Sequence, residues 1–370
     1  MRIAFVSAAK SSHTVKWVNA LQQKGHEVRL YSLPNHKNQL NNIDQNVQVV
    51  YLKHSGFFGY FLNTYQLKKE MINFQPDIMN AHYASGYGNL MRLARIKLPY
   101  ILSIWGSDVY IFPFKSILHK RMIVGNVEAA TTVASTSYMM ADQLKKIYDC
   151  KKQIFITPFG VNVEQFSLPT ERNSNQKFVV GIVKMLEKVY GIEYLITGFS
   201  ILVARLEAEK HPAFDYIELD IYGKGSDEEQ LRQLASASAY CNKIKFMGFL
   251  PNEQVADVTK EFSVSCLPSL SESFGVSAVE AMACGVPVIA SNVDGFKETV
   301  DNGVTGFLVP IKDPQTIADK LYDLITNPDL CHKFGVAGRQ RVLDLYDFEK
   351  NVQTMEQAYK QSIQIYRENK

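Results

Sequence analysis

Two glutamates eight positions apart, Glu272 and Glu280, bracket the most chemically suggestive stretch of the chain, Pro268-Ser-Leu-Ser-Glu-Ser-Phe-Gly-Val-Ser-Ala-Val-Glu-Ala-Met-Ala-Cys-Gly-Val-Pro. An apolar run ends near Leu267, and a helical pattern opens around Phe274, reaches Gly285 and stops before Pro287. Glycine just past a helix and proline shortly beyond are ordinary stop signals. Glu272 then lies in the loop before the helix and Glu280 about two turns along it. Between them, Ser273 and Phe274 lead into a helix start whose N–H groups, near Gly275 and Val276, suit a diphosphate. Gly275, lacking a Cβ, allows a close approach of backbone to phosphate. A carboxylate accepts hydrogen bonds from two neighbouring hydroxyls, which fits Glu280 to a ribose and Glu272 to a transferred sugar. Taken without context, the two acids read as an exposed loop charge and an ordinary helix-surface charge; the surrounding segment is what points to a ligand.

A second set of groups lies near the N-terminus. The first apolar run is followed by Ser7-Ala-Ala-Lys-Ser-Ser12-His13-Thr14. Small residues before a helix leave its N–H groups open to an anion, with Ser12 as the helix cap and His13 beside the ligand. His82 follows the run 78–81 and falls at the same strand edge, either as a ligand contact or as a satisfied structural histidine.

Apolar runs of four to six residues alternate with longer helical patterns, the signature of βαβ units and parallel sheets. Strands are predicted over 3–7, 28–31, 47–51, 78–81, 100–104, 132–134 and 154–156. Helices are predicted over 14–24, 58–74, 87–96, 115–129 and 137–148. The polar stretch 168–177 reads as a linker. The pattern restarts with strands over 178–183, 216–222, 244–246, 263–267, 286–290 and 307–309, with helices over 192–207 and 227–239. The expected fold is α/β: two Rossmann-like, doubly wound parallel-sheet domains, 1–167 and 178–346, with a final helix within 347–370 crossing back onto the first. Ligands of such sheets bind beyond the carboxyl ends of the strands, so a site in a cleft between the domains is expected.

The chain has 370 residues, 46% hydrophobic and 21% charged, the profile of a water-facing globular protein with two cores. No apolar stretch reaches the roughly 18 residues of a membrane span. Met1 leads directly into a strand pattern with no leader-like segment, which argues against secretion. Five scattered cysteines form neither a disulfide framework nor a zinc pattern, and Cys266 and Cys284 sit in apolar runs as small hydrophobes. A cytoplasmic location is expected. Residues 1–167 carry 19 Lys and Arg against 9 Asp and Glu, whereas the remainder carries 21 against 28. The basic half is either a solvated surface or a face for phosphate-bearing lipid, an anionic membrane or nucleic acid.

The segment Glu272 to Glu280, with its Ser-Phe-Gly core and trailing Glu-Ala-Met-Ala-Cys-Gly-Val-Pro-Val, resembles the E-x7-E signature of the family-4 retaining glycosyltransferases (glycosyl transferases group 1), which have the GT-B fold. Gly223-Lys-Gly225 resembles the family's Gly-x-Gly segment. Gly248-Phe249 resembles the strand-turn whose backbone flanks the nucleotide base, and Asn302-Gly-Val-Thr-Gly306 its late turn. The resemblance covers most of residues 178–345. It is weaker over the first half, through Gly25-His-Glu-Val, Pro76-Asp-Ile and Trp105-Gly-Ser-Asp108.

The resemblance implies two basic residues on the leaving diphosphate. Lys184 occupies the place usually held by Arg, and Lys188 the place of the Lys. Lys offers a point charge where Arg offers a fork. Trp105 stands where relatives carry a histidine against the donor sugar. Asp108 is then a candidate for a sugar or acceptor hydroxyl, while Trp105 stacks on a pyranose or fills core. Asp294 replaces the first glycine of the family's late Gly-Gly segment.

The implied reaction moves a hexosyl or N-acetylhexosaminyl group from a nucleotide-diphosphate sugar, by analogy a UDP-sugar, to a hydroxyl of a glycan or lipid-linked acceptor. Configuration is retained and no enzymic nucleophile is needed. No Asp-x-Asp motif is present, so neither metal nor other cofactor is expected. Basic pairs interleaved with Phe57-Phe58, Tyr60-Phe61 and Ile111-Phe112 point to peripheral contact with an anionic membrane and to a cell-envelope acceptor. No nucleic-acid motif appears. The rival readings are a sugar-nucleotide epimerase of the same fold and a non-catalytic nucleotide-sugar binder.

Overall fold

The computed structural model describes residues 1–169 and 177–369, so most of the predicted linker 168–177 lies outside the described residues. The chain forms two compact units, Met1–Phe159 with Glu349–Lys370, and Gly160–Phe348. Among the described residues, thirteen strands run in chain order: β1 Arg2–Val6, β2 Glu27–Ser32, β3 Gln48–Tyr51, β4 Ile78–His82, β5 Tyr100–Ile104, β6 Thr132–Ser135, β7 Ile154–Ile156, β8 Phe178–Val183, β9 Ile217–Tyr222, β10 Ile244–Gly248, β11 Val264–Leu267, β12 Val288–Ser291 and β13 Gly306–Val309.

The first unit's sheet has the order β3-β2-β1-β4-β5-β6-β7 and the second's β10-β9-β8-β11-β12-β13. All pairings are parallel. Parallel strands joined by crossover helices are covered on both faces, which is why β4, β5, β6, β11 and β12 are buried at every position. In each order the direction of winding reverses once, between β1 and β4 and between β8 and β11. At such a reversal the loops leaving the two strands diverge and open a crevice beyond their carboxyl ends.

The predicted helix over 58–74 is two helices, Gly56–Leu62 and Thr64–Phe74. They meet at buried Asn63, whose amide donates to the His54 and Gly59 carbonyls at 2.7 and 2.9 Å while its oxygen accepts from His54 N at 2.9 Å. A side chain bonded to backbone in this way competes with the helix ladder and ends it. Helices Pro314–Thr326 and Pro328–Leu345, which periodicity did not single out, begin with proline behind an Asp313 or Asn327 cap.

The unit boundary falls at 159/160 rather than at 167. Val161 N donates to the Tyr346 carbonyl at 2.9 Å and Phe348 N to the Val161 carbonyl at 3.0 Å. The Arg339 guanidinium bonds the Phe166 carbonyl and, at 3.0 Å, that of Val163. These bonds fasten 160–167 to the second unit.

The last helix, Phe348–Glu368, packs on the first unit through a buried polar row. Asn80 on β4 donates to the Tyr359 hydroxyl at 2.7 Å and accepts from Ser103 on β5 at 2.9 Å, while Thr132 on β6 meets Ser362 at 2.5 Å. His26 and Glu356 are 2.7 Å apart at the rim.

Candidate functional site

Lys184 is the first residue past β8 and Glu272 lies in the loop that leaves β11, so both stand where the second sheet reverses its winding. The Lys184 ammonium is 2.7 Å from Glu272 Oε2, and both side chains are nearly buried, at 13% and 14% exposure. The other Glu272 oxygen accepts from Ser273 N at 3.2 Å, and the Lys184 ammonium also lies 4.7 Å from the centre of the Tyr190 ring.

The backbone around this pair is held by close contacts that only glycine permits. Gly223, at φ +143°, would place a Cβ 1.8 Å from the Lys184 carbonyl oxygen, and Gly225 one 2.1 Å from that of Leu186. Lys184 N donates to the Tyr222 carbonyl and Leu186 N to that of Lys224, each at 3.0 Å. The Gly-x-Gly segment is therefore spent on clamping the 184–186 backbone. Opposite, Gly295 N donates to the Glu272 carbonyl at 3.0 Å, and a Cβ there would lie 2.6 Å from Phe274 N. Leu270 N donates to the Val189 carbonyl at 2.8 Å, and Ser291 Oγ donates to the Ser269 carbonyl, joining the loop after β11 to the loop after β8 and to the end of β12. Ser291 carries no local sequence signal, because its partner Ser269 lies on another strand end.

The helix following Glu272 is Val276–Ala283, with Gly275 at its N-cap and no side chain capping it. It starts two residues later than predicted, so Glu280, half-buried, lies just over one turn along it rather than two. Gly275 has φ +90°, and a Cβ there would fall 2.7 Å from the Phe296 ring. Its need for glycine is thus conformational and steric within the protein itself. Phe274, expected against substrate, is 2% exposed with its ring edge-on to Tyr346 at 5.6 Å, a core residue. Ser273 and Val276 are half-buried at the helix start. Lys188 is exposed on the turn Lys188–Tyr190 and makes no ion pair among the described residues. Gly248, at φ +81°, ends β10, and its carbonyl accepts from Gly223 N at 2.8 Å; Phe249 beyond it is exposed.

The first unit carries an aromatic cluster at its own reversal. His82, the last residue of β4, is fully buried, with Nδ1 3.1 Å from Ser7 Oγ and Nε2 without a partner among the described residues. Its ring lies 4.0 Å from Trp105, and burial, reinforced by the nearby His13, holds its pKa well below the usual value. His13 is half-buried, stacked 3.9 Å from Phe159, and burial with the charge of Lys16 lowers its pKa to about 4. Both imidazoles are consequently neutral at neutral pH. Trp105 is 5% exposed and fills core. Ser12 does not cap the first long helix: Ser11 is its N-cap, without a side-chain bond, and Ser12 points to solvent.

Asp108 is not open to a ligand. It is fully buried, and its oxygens accept from Ala84 N at 2.8 Å, Gly106 N at 2.8 Å and Trp105 N at 3.2 Å. Burial raises its pKa in spite of those bonds. The carboxylate pins the loop after β5 to the loop after β4, a structural post in place of the expected sugar contact.

Residues 163–341 match the family described as glycosyl transferases group 1, and residues 2–137 match glycosyl transferase 4-like. The chain is a family-4-like glycosyltransferase. An uncharacterized glycosyltransferase of Methanocaldococcus jannaschii is 28% identical over 320 residues, 85% of this chain and 84% of that one. The N-acetyl-alpha-D-glucosaminyl L-malate synthase of Bacillus anthracis is 25% identical over 297 residues, 76% of this chain and 74% of that one. Among solved structures, HepE of Anabaena in complex with UDP superposes with a TM-score of 0.81 at 16% identity, covering 98% of this chain and 100% of that one. This glycosyltransferase therefore has the GT-B fold.

Proposed function

We propose that this glycosyltransferase transfers a hexosyl or N-acetylhexosaminyl group from a UDP-sugar, with retention of configuration, to a hydroxyl of a glycan or lipid-linked acceptor of the cell envelope. The observation that carries the reading is the Lys184–Glu272 pair beside an uncapped helix start, at the winding reversal of the second sheet. One contact of the Lys184 ammonium is taken by Glu272, and its remaining protons are free to meet a phosphate oxygen. Together with the N–H groups at Gly275 and Val276, and with Lys188 on its exposed turn, it supplies positive potential for the charge growing on a departing diphosphate. Glu272, oriented by Lys184 and Ser273 N, offers lone pairs to hydroxyls of the donor sugar, and Glu280 offers them to a ribose. Gly248 and Phe249 flank the base.

In this reading the acceptor hydroxyl attacks the face from which the diphosphate leaves and gives its proton to the departing phosphate oxygen. Neither a protein nucleophile nor a metal is required. HepE, solved with UDP and with UDP-glucose, supports the donor class by likeness.

The test is product analysis with a panel of nucleotide sugars, following the anomeric signal by NMR. UDP release with an α-linked product from an α-linked donor is expected. An inverted product, or a donor epimerised with no acceptor consumed, overturns the proposal.

A further inference from the structure

Helices Gly56–Leu62 and Thr64–Phe74 turn Gly59, Asn63, Leu67, Met71 and Phe74 inward onto the first unit. Their outer face is apolar at one end and basic at the other. Phe57, Phe58 and Tyr65 are 69%, 70% and 80% exposed, and the Phe57 ring leans on Phe58 and Phe61 at 5.7 and 5.3 Å rather than on the core. Each phenylalanine left in water forfeits the burial that normally draws an apolar ring into the core. Tyr60 and Phe112, grouped with these rings on sequence grounds, pack against the core instead.

Along the same face, Lys68 and the 62%-exposed Ile72 belong to the wall of a cavity of about 510 Å³. Met71, Ile72, Ile96 and Leu98 make its apolar lining, and Lys68, Arg95 and Lys97, all exposed, are its cations. None of the three cations makes an ion pair among the described residues. Lys68 and Ile72 stand about one and two turns beyond Tyr65 on Thr64–Phe74, so exposed aromatic and cationic side chains follow one another along that helix on the basic half of the chain. Among the described residues, no helix is long and apolar enough to cross a membrane.

We propose that this surface seats the first unit on a membrane carrying acidic phospholipids. Phe57, Phe58 and Phe61 enter the boundary between headgroups and acyl chains. Lys68, Arg95 and Lys97 meet lipid phosphates, and the apolar cavity between the cations takes the upper part of one lipid. Exposed aromatic rings beside basic side chains are the pattern of a helix lying in an interface. Each cation near an anionic surface contributes about 1 kcal/mol, a factor of about five in binding. The inference goes beyond the proposed function and rests on the surface of the first unit, not on the transfer chemistry.

The experiment is co-sedimentation of the full chain with vesicles of phosphatidylcholine alone or rich in phosphatidylglycerol, with neither donor nor acceptor present. Binding is expected only to the acidic vesicles and is weakened by salt. The triple variant Lys68→Gln/Arg95→Gln/Lys97→Gln should bind about a hundredfold more weakly and lose most of the salt dependence. Phe57→Ser/Phe58→Ser should weaken binding by at least about tenfold while leaving the salt dependence. All these side chains are exposed, so unfolding temperatures should match the parent; single variants Phe58→Ser and Lys97→Gln serve if a multiple one does not fold.

The inference is overturned by equal binding to neutral and acidic vesicles or by no binding of the parent. It is equally overturned if only Ile117→Ser/Leu118→Ser, on a separate exposed tip, releases the protein, or if the Phe variant merely abolishes self-association. Donor hydrolysis measured on the same variants separates this outcome from failure of the transfer reading.

Discussion

Replacing Lys184 by Met and Glu272 by Gln, singly and together, separates what the pair does for the fold from what it does for a ligand. At 2.7 Å and an effective dielectric of about 20, the attraction is roughly 6 kcal/mol. Each charge loses several kcal/mol of hydration in a site this enclosed, so most of that attraction is offset. A coupling of about 1–3 kcal/mol is what survives for a nearly buried, hydrogen-bonded pair. For a unit of this size each kcal/mol shifts the unfolding temperature by about 2–4 °C. Each single variant should therefore unfold several degrees below the parent, and the double variant should recover part of the loss.

Ligand binding should split the pair differently. Lys184→Met removes a charged hydrogen bond of about 1.5–3 kcal/mol, so UDP should bind about 10- to 150-fold more weakly by calorimetry. Glu272→Gln removes the group that competes with phosphate for Lys184. UDP affinity should hold or rise a few-fold, while turnover falls by about 10²–10³ as the sugar loses its acceptor groups. If Lys184→Met binds UDP within twofold of the parent, or Glu272→Gln weakens UDP as much as Lys184→Met does, the reasoning from this geometry fails. Stability effects that add to within about 0.5 kcal/mol would likewise show that the two charges are not coupled.

Asp108→Asn keeps the shape of the buried carboxylate but turns an acceptor into a donor among three N–H groups; about 1–3 kcal/mol of stability should be lost in thermal or urea unfolding, with turnover per folded molecule near the parent's. Gly295→Ala drives a Cβ against Phe274 N and the Glu272 carbonyl, so the loop carrying Glu272 must shift; turnover should fall about a hundredfold with UDP affinity changed far less, as steady-state kinetics and calorimetry would report. His13 is held neutral in the fold with a pKa near 4, whereas the unfolded chain takes up its proton near pH 6.5. Its burial therefore stabilises fully above about pH 6.5, and that contribution drains away as pH falls toward 4. His13→Gln should flatten the fall in unfolding temperature over that window, and an unchanged slope would show that the imidazole is solvated.

The strands, their division into two sheets and the E-x7-E segment were legible because they depend on local pattern. An apolar run of the right length between turn residues is a strand wherever it occurs, and Gly285 with Pro287 ends a helix for reasons internal to the backbone. The break at Asn63 was not legible, since 58–74 keeps its apolar period through it. Only the bonds from the Asn63 side chain to His54 and Gly59 reveal that the ladder stops there. Asp108 and Phe274 misled for a related reason. An acid in a loop and an aromatic beside a helix start look the same in sequence whether they face a ligand or the interior.

What the amino-acid sequence determined by itself was the succession of elements and the residue types placed at the carboxyl ends of β8 and β11. Those follow from periodicity, turn chemistry and short motifs, each settled within a few neighbouring residues. The tertiary structure decided which of these side chains meet: that Lys184 reaches Glu272, that Gly223 and Gly295 clamp the loops carrying them, and that His82 lies buried under Trp105. Those contacts join residues dozens of positions apart, and their strength comes from exclusion of water, which no local stretch of chain can accomplish.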